Sequence, residues 1–449
     1  MDNCTLTEKL ADFSLGLVYD DIPELAKIKA KDAVIDYLGC ILGAADSAEA
    51  AIIDDLVFEA AAPAEATLVG SWKKSSAHYE AMSNAYRCHI LEFDDGAGGM
   101  HTGTTILPAA IAAAEKYGAS GKELIRAIVL GIEAACRISL AAGVSQNKYW
   151  HSTGTCGVFG AAMASGIIMG LDRDQLVWSL GNAGPMAAGL WQFNQEGAMT
   201  KYLHCAKAAA DGLLASMLAK RGYTGARKII EGEKGFIVSH SEEKNPERFF
   251  ETLGNEYMIE MLSIKPFPSC SHTHAAISAS LQLKEKYDIK AEEIDKIIIT
   301  TYKDAPITAR NNKTFVTSRE AKFSISGGAA AALLRGRVDK DTFSMESIVQ
   351  PELLELVAKT EIQIDDEMTQ NYPRQWAAAV EVQTARGQFK IVEKEPWGDL
   401  RDAMPLNKLK VKYKQLAEGV ISDKAAELLW ERCLKLEDLD NVKNLFAGL

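Results

Sequence analysis

Apolar residues recur at three- and four-residue spacing through roughly the first 262 positions, the period of a helix that buries one face. IPELAKIKAKDAVIDYLGCILGA, GKELIRAIVLGIEAACRISLAAG and HCAKAAADGLLASMLAKRG show the pattern most clearly, with Ala and Gly where helices would meet closely. It stops at Lys265-Pro266-Phe267-Pro268, because two prolines prevent helix continuation. Beyond a helical ISASLQLKEKYD comes EIDKIIITTYKDA, whose Ile and Thr content suits a strand. Residues 377–393, AAAVEVQTARGQFKIVE, read as two strands around a turn at Gly387. FSISGGAAAALLRG and MESIVQPELLELVAKT return to the helical period, as does the chain from PLNKLKVKYKQLAEG onward. The pattern predicts a mainly α protein in which a smaller α+β domain is inserted into a large all-helical one. The helical domain takes residues 1–265 and 395–449, and the α+β domain takes 266–394. No internal repeat stands out.

At 449 residues the chain exceeds the usual size of a single core, in keeping with two domains. Acidic residues outnumber basic ones 61 to 49, a net charge of −12, and no dense Lys/Arg run appears. Nucleic acid is therefore not an expected partner, and any anion that binds must be held by local cations. No apolar run reaches the ~20 residues of a membrane span, and MDNCTLTEKLADFSLGL does not read as a signal peptide. The eight cysteines are scattered without a CxxC, as reduced thiols of a cytoplasmic protein would be.

Five stretches place reactive residues where the chain leaves regular structure. LEFDDGAGGMHTGTTILPA carries Glu92, Asp94, Asp95 and His101 around a glycine-rich bend; Asp94-Asp95 fits a solvated turn equally well. In KYWHSTGTCG, Tyr149 and His151 precede a Ser-Thr-Gly-Thr run whose hydroxyls suit a helix start and whose backbone N–H groups suit a carboxylate; Thr153 sits in that run. GAMTKYLHCAK holds Lys201, an ammonium in apolar surroundings that needs a reason to be there. His204 and Cys205 fit helix packing, and Lys207 a surface position or an ion pair. SREAKFSISGG adds Arg319 and Lys322. In KPFPSCSHTH, Cys270, His272 and His274 alternate as if presented from one side of an extended segment. C-x-H-x-H is not an established zinc spacing and lacks a fourth ligand, so no metal is expected; Lys265 beside it suits an organic anion.

Taken together, AMSNAYRCHILEFDD, HSTGTCGVFGAA, TKYLHCAKAAADGLLA, IKPFPSCSHTH, YPRQWAAAVEV (with Pro373 and Arg374) and PWGDLRDAMPLNKLKVKYKQLA resemble the MmgE/PrpD family in order and over nearly the whole chain. The resemblance implies a homodimer of two-domain subunits, the α+β domain acting as a lid with the active site between the domains, and no metal or organic cofactor. The family includes 2-methylcitrate dehydratases, cis-aconitate decarboxylases and an epimerase of iminodisuccinate. By position, His101, His151, Lys201, Lys265 and His274 match its active-site residues. Glu92, Gly96, Cys270 and Gly327 depart from the decarboxylase pattern, which has Asp, Thr, His and Tyr at those points.

The resemblance implies a cofactor-independent lyase, a dehydratase or decarboxylase, acting on a small anionic di- or tricarboxylate. The alternative is a two-base epimerase of a dicarboxylate. His151, Lys201, His101 and Tyr149 are the expected catalytic residues; Glu92, Asp95, Lys265, His274 and Thr153 are expected to bind substrate. A proton beside a carboxylate is only weakly acidic, so fixed cations must stabilise the enolate-like charge while a histidine moves the proton.

Overall fold

The computed structural model describes residues 4–449 except 244, 373, 397 and 399–403. Pro373 and most of the WGDLRDA stretch of the late motif thus lie outside the described residues. The chain divides into two compact units. One comprises the residues through Ile90, Asp94–Ile264 and Leu406–Leu449; the other comprises Leu91–Phe93 and Lys265–Pro405.

In the first unit, α1 (Glu24–Gly43), α2 (Ala77–His89), α3 (Gly103–Tyr117), α4 (Gly121–Ala142), α5 (Ser152–Ile168) and α6 (Thr200–Ala219) form the frame. Every residue of α5 is buried, with α3, α4 and α6 packed around it. Small residues make this possible. A methyl added at Gly160 would stand 2.6 Å from the Gly131 carbonyl oxygen of α4, so the two backbones nearly touch.

The unit is not purely helical. A two-residue pair of strands, β1 (Ala66–Thr67) and β2 (Lys74–Ser75), runs antiparallel beside α3. There the Glu115 carboxylate accepts hydrogen bonds at 2.7 Å from both the Thr67 N–H and its hydroxyl. Two-residue strands are too short to leave an alternation in the sequence, so the expectation of an all-helical domain does not include them.

The second unit contains a four-stranded sheet in the order β4-β3-β5-β6: β3 (Ile294–Thr301), β4 (Thr360–Ile364), β5 (Ala378–Thr384) and β6 (Gly387–Glu393). β3 and β4 are parallel; β3–β5 and β5–β6 are antiparallel. α7 (His274–Tyr287) covers β5 and β6 and packs on α8 (Ile325–Arg335). Ile297, Ile299, Val380, Val382 and Ala329 lie in the resulting core. The periodicity of MESIVQPELLELVAKT runs a helix up to the start of β4. The helix instead ends within that stretch, as α9 (Pro351–Ala358), and the largely exposed edge strand begins two residues later. Gly387 is not the turn itself: Thr384 pairs with Gly387 across a two-residue Ala385-Arg386 turn.

After this unit, α10 (Leu406–Ala417) and α11 (Asp423–Leu434) return to α1, where Lys412 of α10 is paired with buried Asp36 at 2.6 Å. No helix among the described residues is long and apolar enough to cross a membrane.

Candidate active site

Three breaks in the helical unit bring the polar residues together. α2 ends on His89, and the chain reaches α3 through Asp94, Asp95 and His101. α5 starts one residue after His151, and Lys201 and His204 occupy the first turns of α6. His151 is placed by its own backbone, its N–H donating to the Gly189 carbonyl at 2.8 Å. Its ring contacts His204, Nδ1 to Nδ1 at 3.2 Å, and lies 4.9 Å from the Trp191 ring by centroids. His89 stacks on its other side at 6.2 Å and meets His101 edge-on at 4.6 Å.

Asp94 is the acidic partner of this group. Its carboxylate lies 2.8 Å from His89 Nδ1 and 3.2 Å from His101 Nδ1, and the latter also faces the Asp95 carbonyl oxygen at 3.0 Å. His89 and Asp94 are fully buried, whereas the His101 side chain is 20% exposed. The Thr153 hydroxyl accepts from the His101 backbone N–H at 3.1 Å, and Ser152 donates to the Gly99 carbonyl. These hydroxyls therefore pin the glycine-rich bend to α5, in place of the helix-capping role their position in the sequence suggests.

Burial, then Lys201 and the neighbouring imidazoles, holds His151 well below the usual histidine range. Burial, Lys201 and Lys207 bring His204 down to about 4. Both rings are thus neutral near pH 7, the state in which an imidazole can accept a proton. Burial pushes Asp94 upward, but His89 and His101 outweigh it and hold the carboxyl well below its usual value. Asp95 goes the other way, to about 8, through burial and the nearby Asp36 and Asp94 charges. Of two adjacent carboxyls, one keeps its charge and the other keeps its proton.

Several expected site residues do other work. Asp95 does not present its carboxylate outward; Oδ1 accepts from the Gly103 N–H at 2.6 Å and from the Thr102 hydroxyl, at the start of α3. The Asp94-Asp95 pair is buried, not a solvated turn. Tyr149 is 60% exposed, with the Lys148 ammonium 5.0 Å over its ring. His204, expected to serve packing, is hydrogen-bonded to His151. Lys207 forms an ion pair with Asp211. His89 is a member of the cluster that sequence reasoning does not select. Its one signal is the five-residue step from His89 to Asp94 across a helix end, the right reach for a side chain folding back on the next turn.

In the α+β unit, Lys265 donates to the Glu92 carbonyl at 2.9 Å and lies 3.7 Å from the Glu92 carboxylate. Glu92 has a left-handed backbone, φ 56°, uncommon for a non-glycine residue. Cys270, His272 and His274 do not form an extended segment. Ser271–Thr273 is a turn of 3₁₀ helix and His274 is the first residue of α7. His272 Nδ1 meets the Tyr302 hydroxyl at 2.7 Å within a box closed by Tyr372 and Trp376, and burial lowers its pKa to about 4. His274 Nε2 donates to the Ser269 carbonyl at 3.1 Å. The two rings are therefore committed to different partners.

Among the described residues, the group with metal-type ligands is elsewhere: His89, Asp94 and His101 offer atoms within 4.8 Å of one another. The facing atoms are at hydrogen-bond distance, and His101 Nδ1 opposes a carbonyl oxygen that can only accept. That geometry fits nitrogens bearing hydrogen better than nitrogens offering lone pairs to an ion.

Two family models together cover most of the chain, the second running past the α+β unit into the C-terminal helices of the first unit. The MmgE/PrpD N-terminal domain model matches residues 8–248 and the MmgE/PrpD C-terminal domain model matches 267–436. The cis-aconitate decarboxylase of Aspergillus terreus is 25% identical, over 99% of this chain and 96% of its own. The cis-aconitate decarboxylase-like protein oryM of Aspergillus oryzae is 26% identical over 98% and 96%. The human cis-aconitate decarboxylase is 25% identical over 81% and 77%.

Proposed function

We propose, from the premise that the chain belongs to the MmgE/PrpD family, that this enzyme is a cofactor-independent lyase. It dehydrates or decarboxylates a di- or tricarboxylate of the 2-methylcitrate or cis-aconitate type. The observation that carries the reading is the pairing of a buried lysine, Lys201, with a neutral buried imidazole, His151, whose ring also lies against Trp191. Such a pair attracts carboxylates, and an arriving polyanion reverses the electrostatic part of the His151 depression, so the ring becomes a stronger base only when substrate is present. As the carbon beside a carboxylate loses CO₂ or a proton, charge spreads onto carboxylate oxygens. Lys201 stabilises that charge, each charge-assisted contact contributing roughly 1.5–3 kcal/mol. His151 and His101 then serve the proton transfers that complete the reaction. Lys265 and His274 of the α+β unit keep a proposed role in holding carboxylates, and the subunit is proposed to work as a homodimer.

The presence of more than one imidazole in the cluster favours one second reading, a two-base epimerase of a dicarboxylate. One experiment separates the readings: the enzyme is incubated with a polycarboxylate panel in deuterated water and followed by NMR. Loss of water or CO₂ supports a lyase. Deuterium entering beside a carboxylate with no leaving group supports epimerisation. No change in any member of the panel overturns both.

A further inference from the structure

A carbonyl oxygen carries only lone pairs, so the ring nitrogen it faces must bear the hydrogen. The Asp95 carbonyl stands 3.0 Å from Nδ1 of His101, and the Asp94 carboxylate approaches the same nitrogen at 3.2 Å. In its neutral form His101 is thereby held with its hydrogen on Nδ1 and its lone pair on Nε2. Asp94 is itself anchored on the far side, 2.8 Å and 3.0 Å from Nδ1 of His89, which is the last residue of α2. The two rings meet edge-on at 4.6 Å, and of the two only His101 reaches solvent.

We propose that Asp94 is a positioning residue for the reaction, anchored by His89, that fixes and charges His101 so that Nε2 is the nitrogen exchanging a proton with substrate. This rests on the lyase reading for its chemistry, but the arrangement itself can be tested without any substrate. Nothing else in the cluster explains why a carboxylate is kept ionised in full burial between two imidazoles. A neutral side chain would satisfy the hydrogen bonds without the cost of desolvating a charge. When Nε2 takes a proton the ring becomes a cation, and Asp94 is the anion in contact with it, so the charge is balanced where it forms. Thr153 completes the support by accepting from the His101 backbone N–H.

The first arm of the test uses the full-length protein with ¹⁵N-labelled histidine rings, assigning His101 by comparison with His101→Gln. The expected result is a hydrogen-bearing Nδ1 and a bare Nε2. A proton on Nε2, or displacement of the Nδ1 hydrogen by stoichiometric zinc(II) added alone, overturns the proposal.

The second arm uses cis-aconitate, the compound named in the relatives' activity. Asp94→Asn keeps the shape and an acceptor but loses the charge. Its kcat should fall by roughly 10–10³-fold with KM within about threefold, the split expected when an interaction is made only as the ring charges. Millimolar formate should restore about tenfold or more to Asp94→Ala, which a purely structural role would not allow. An Asp94→Asn enzyme with kcat within about twofold of wild type overturns the proposal. If the wild type leaves cis-aconitate unchanged, the substrate reading fails there, and the labelling arm alone decides this one.

Discussion

His151 and His204 meet Nδ1 to Nδ1 at 3.2 Å, so one ring must donate and the other accept. The two rings therefore hold opposite tautomers in contact, and the accepting ring cannot be protonated on Nδ1 without costing the pair its hydrogen bond. Lys201, one helical turn before His204, adds a fixed positive charge that opposes protonation of both. These two rings therefore stay neutral near pH 7.

That neutrality has a measurable cost in acid. His204 is held at about 4 in the folded protein, against about 6.5 in an unfolded chain. Between those values the unfolded state binds more protons, so this contribution to stability is present above about pH 6.5 and is lost as pH falls towards 4. His204→Gln has no such proton to gain. Thermal unfolding of the two proteins should show the mutant losing a few degrees less than wild type between about pH 7.5 and about pH 4.5. A gap in Tm that does not change with pH would contradict the shift.

Asp95 gives the opposite sign. Its folded value of about 8 lies above the ~3.9 of a free side chain, so stability from the protonated form is full below about pH 4 and lost as pH rises through about 8. Asp95→Asn mimics the protonated state and still accepts from the Gly103 N–H. Relative to wild type it should therefore gain stability between about pH 5 and about pH 8.5. A parallel pH dependence would mean that Asp95 is ionised in the folded state.

How much of the fold and the cluster is legible in the sequence depends on the length over which each signal acts. Helices such as α4 repeat their period many times, and the Pro266/Pro268 break is local chemistry, so both are legible. β1 and β2 are two residues long, and β4 abuts a helix whose period runs into it; no periodic signal survives there. Lys201 announces itself by charge in apolar surroundings and His151 by its place before the Ser-Thr-Gly-Thr run, and the structure brings them into one cluster. The Asp94–His89 and His151–His204 contacts join residues across helix ends or from different helices, and nothing in one-dimensional spacing distinguishes such a histidine from a packed one. Tyr149 shows how little adjacency in sequence says about burial: it is 60% exposed, two residues from the buried His151.

The approach of α4 and α5 yields a stability prediction. A Cβ at position 160 would sit 2.6 Å from the Gly131 carbonyl oxygen and 2.8 Å from the Ala135 methyl, with backbone on one side and core on the other. Neither neighbour can swing aside. Gly160→Ala should destabilise by about 1–3 kcal/mol, the usual range for overpacking, as measured by denaturant unfolding. Unchanged stability would show that the two helices can separate at little cost.

On the proposed reading, Lys201 and His151 act on one bound polycarboxylate. Lys201 is buried at the start of α6 and contributes charge that both bound substrate and transition state need. Lys201→Met should therefore abolish measurable turnover and also weaken binding. His151→Gln keeps a polar group of similar reach but removes the acid–base function. Its turnover should fall by roughly 10²–10⁴-fold while binding stays within several-fold. Because both residues serve one step, the double variant should be little worse than Lys201→Met alone. Steady-state kinetics with calorimetric binding on the substrate found by the deuterium panel separates these terms. If His151→Gln keeps near-normal turnover, the proposed proton-transfer role passes to His101. If Lys201→Met does so as well, the reaction does not take place at this cluster.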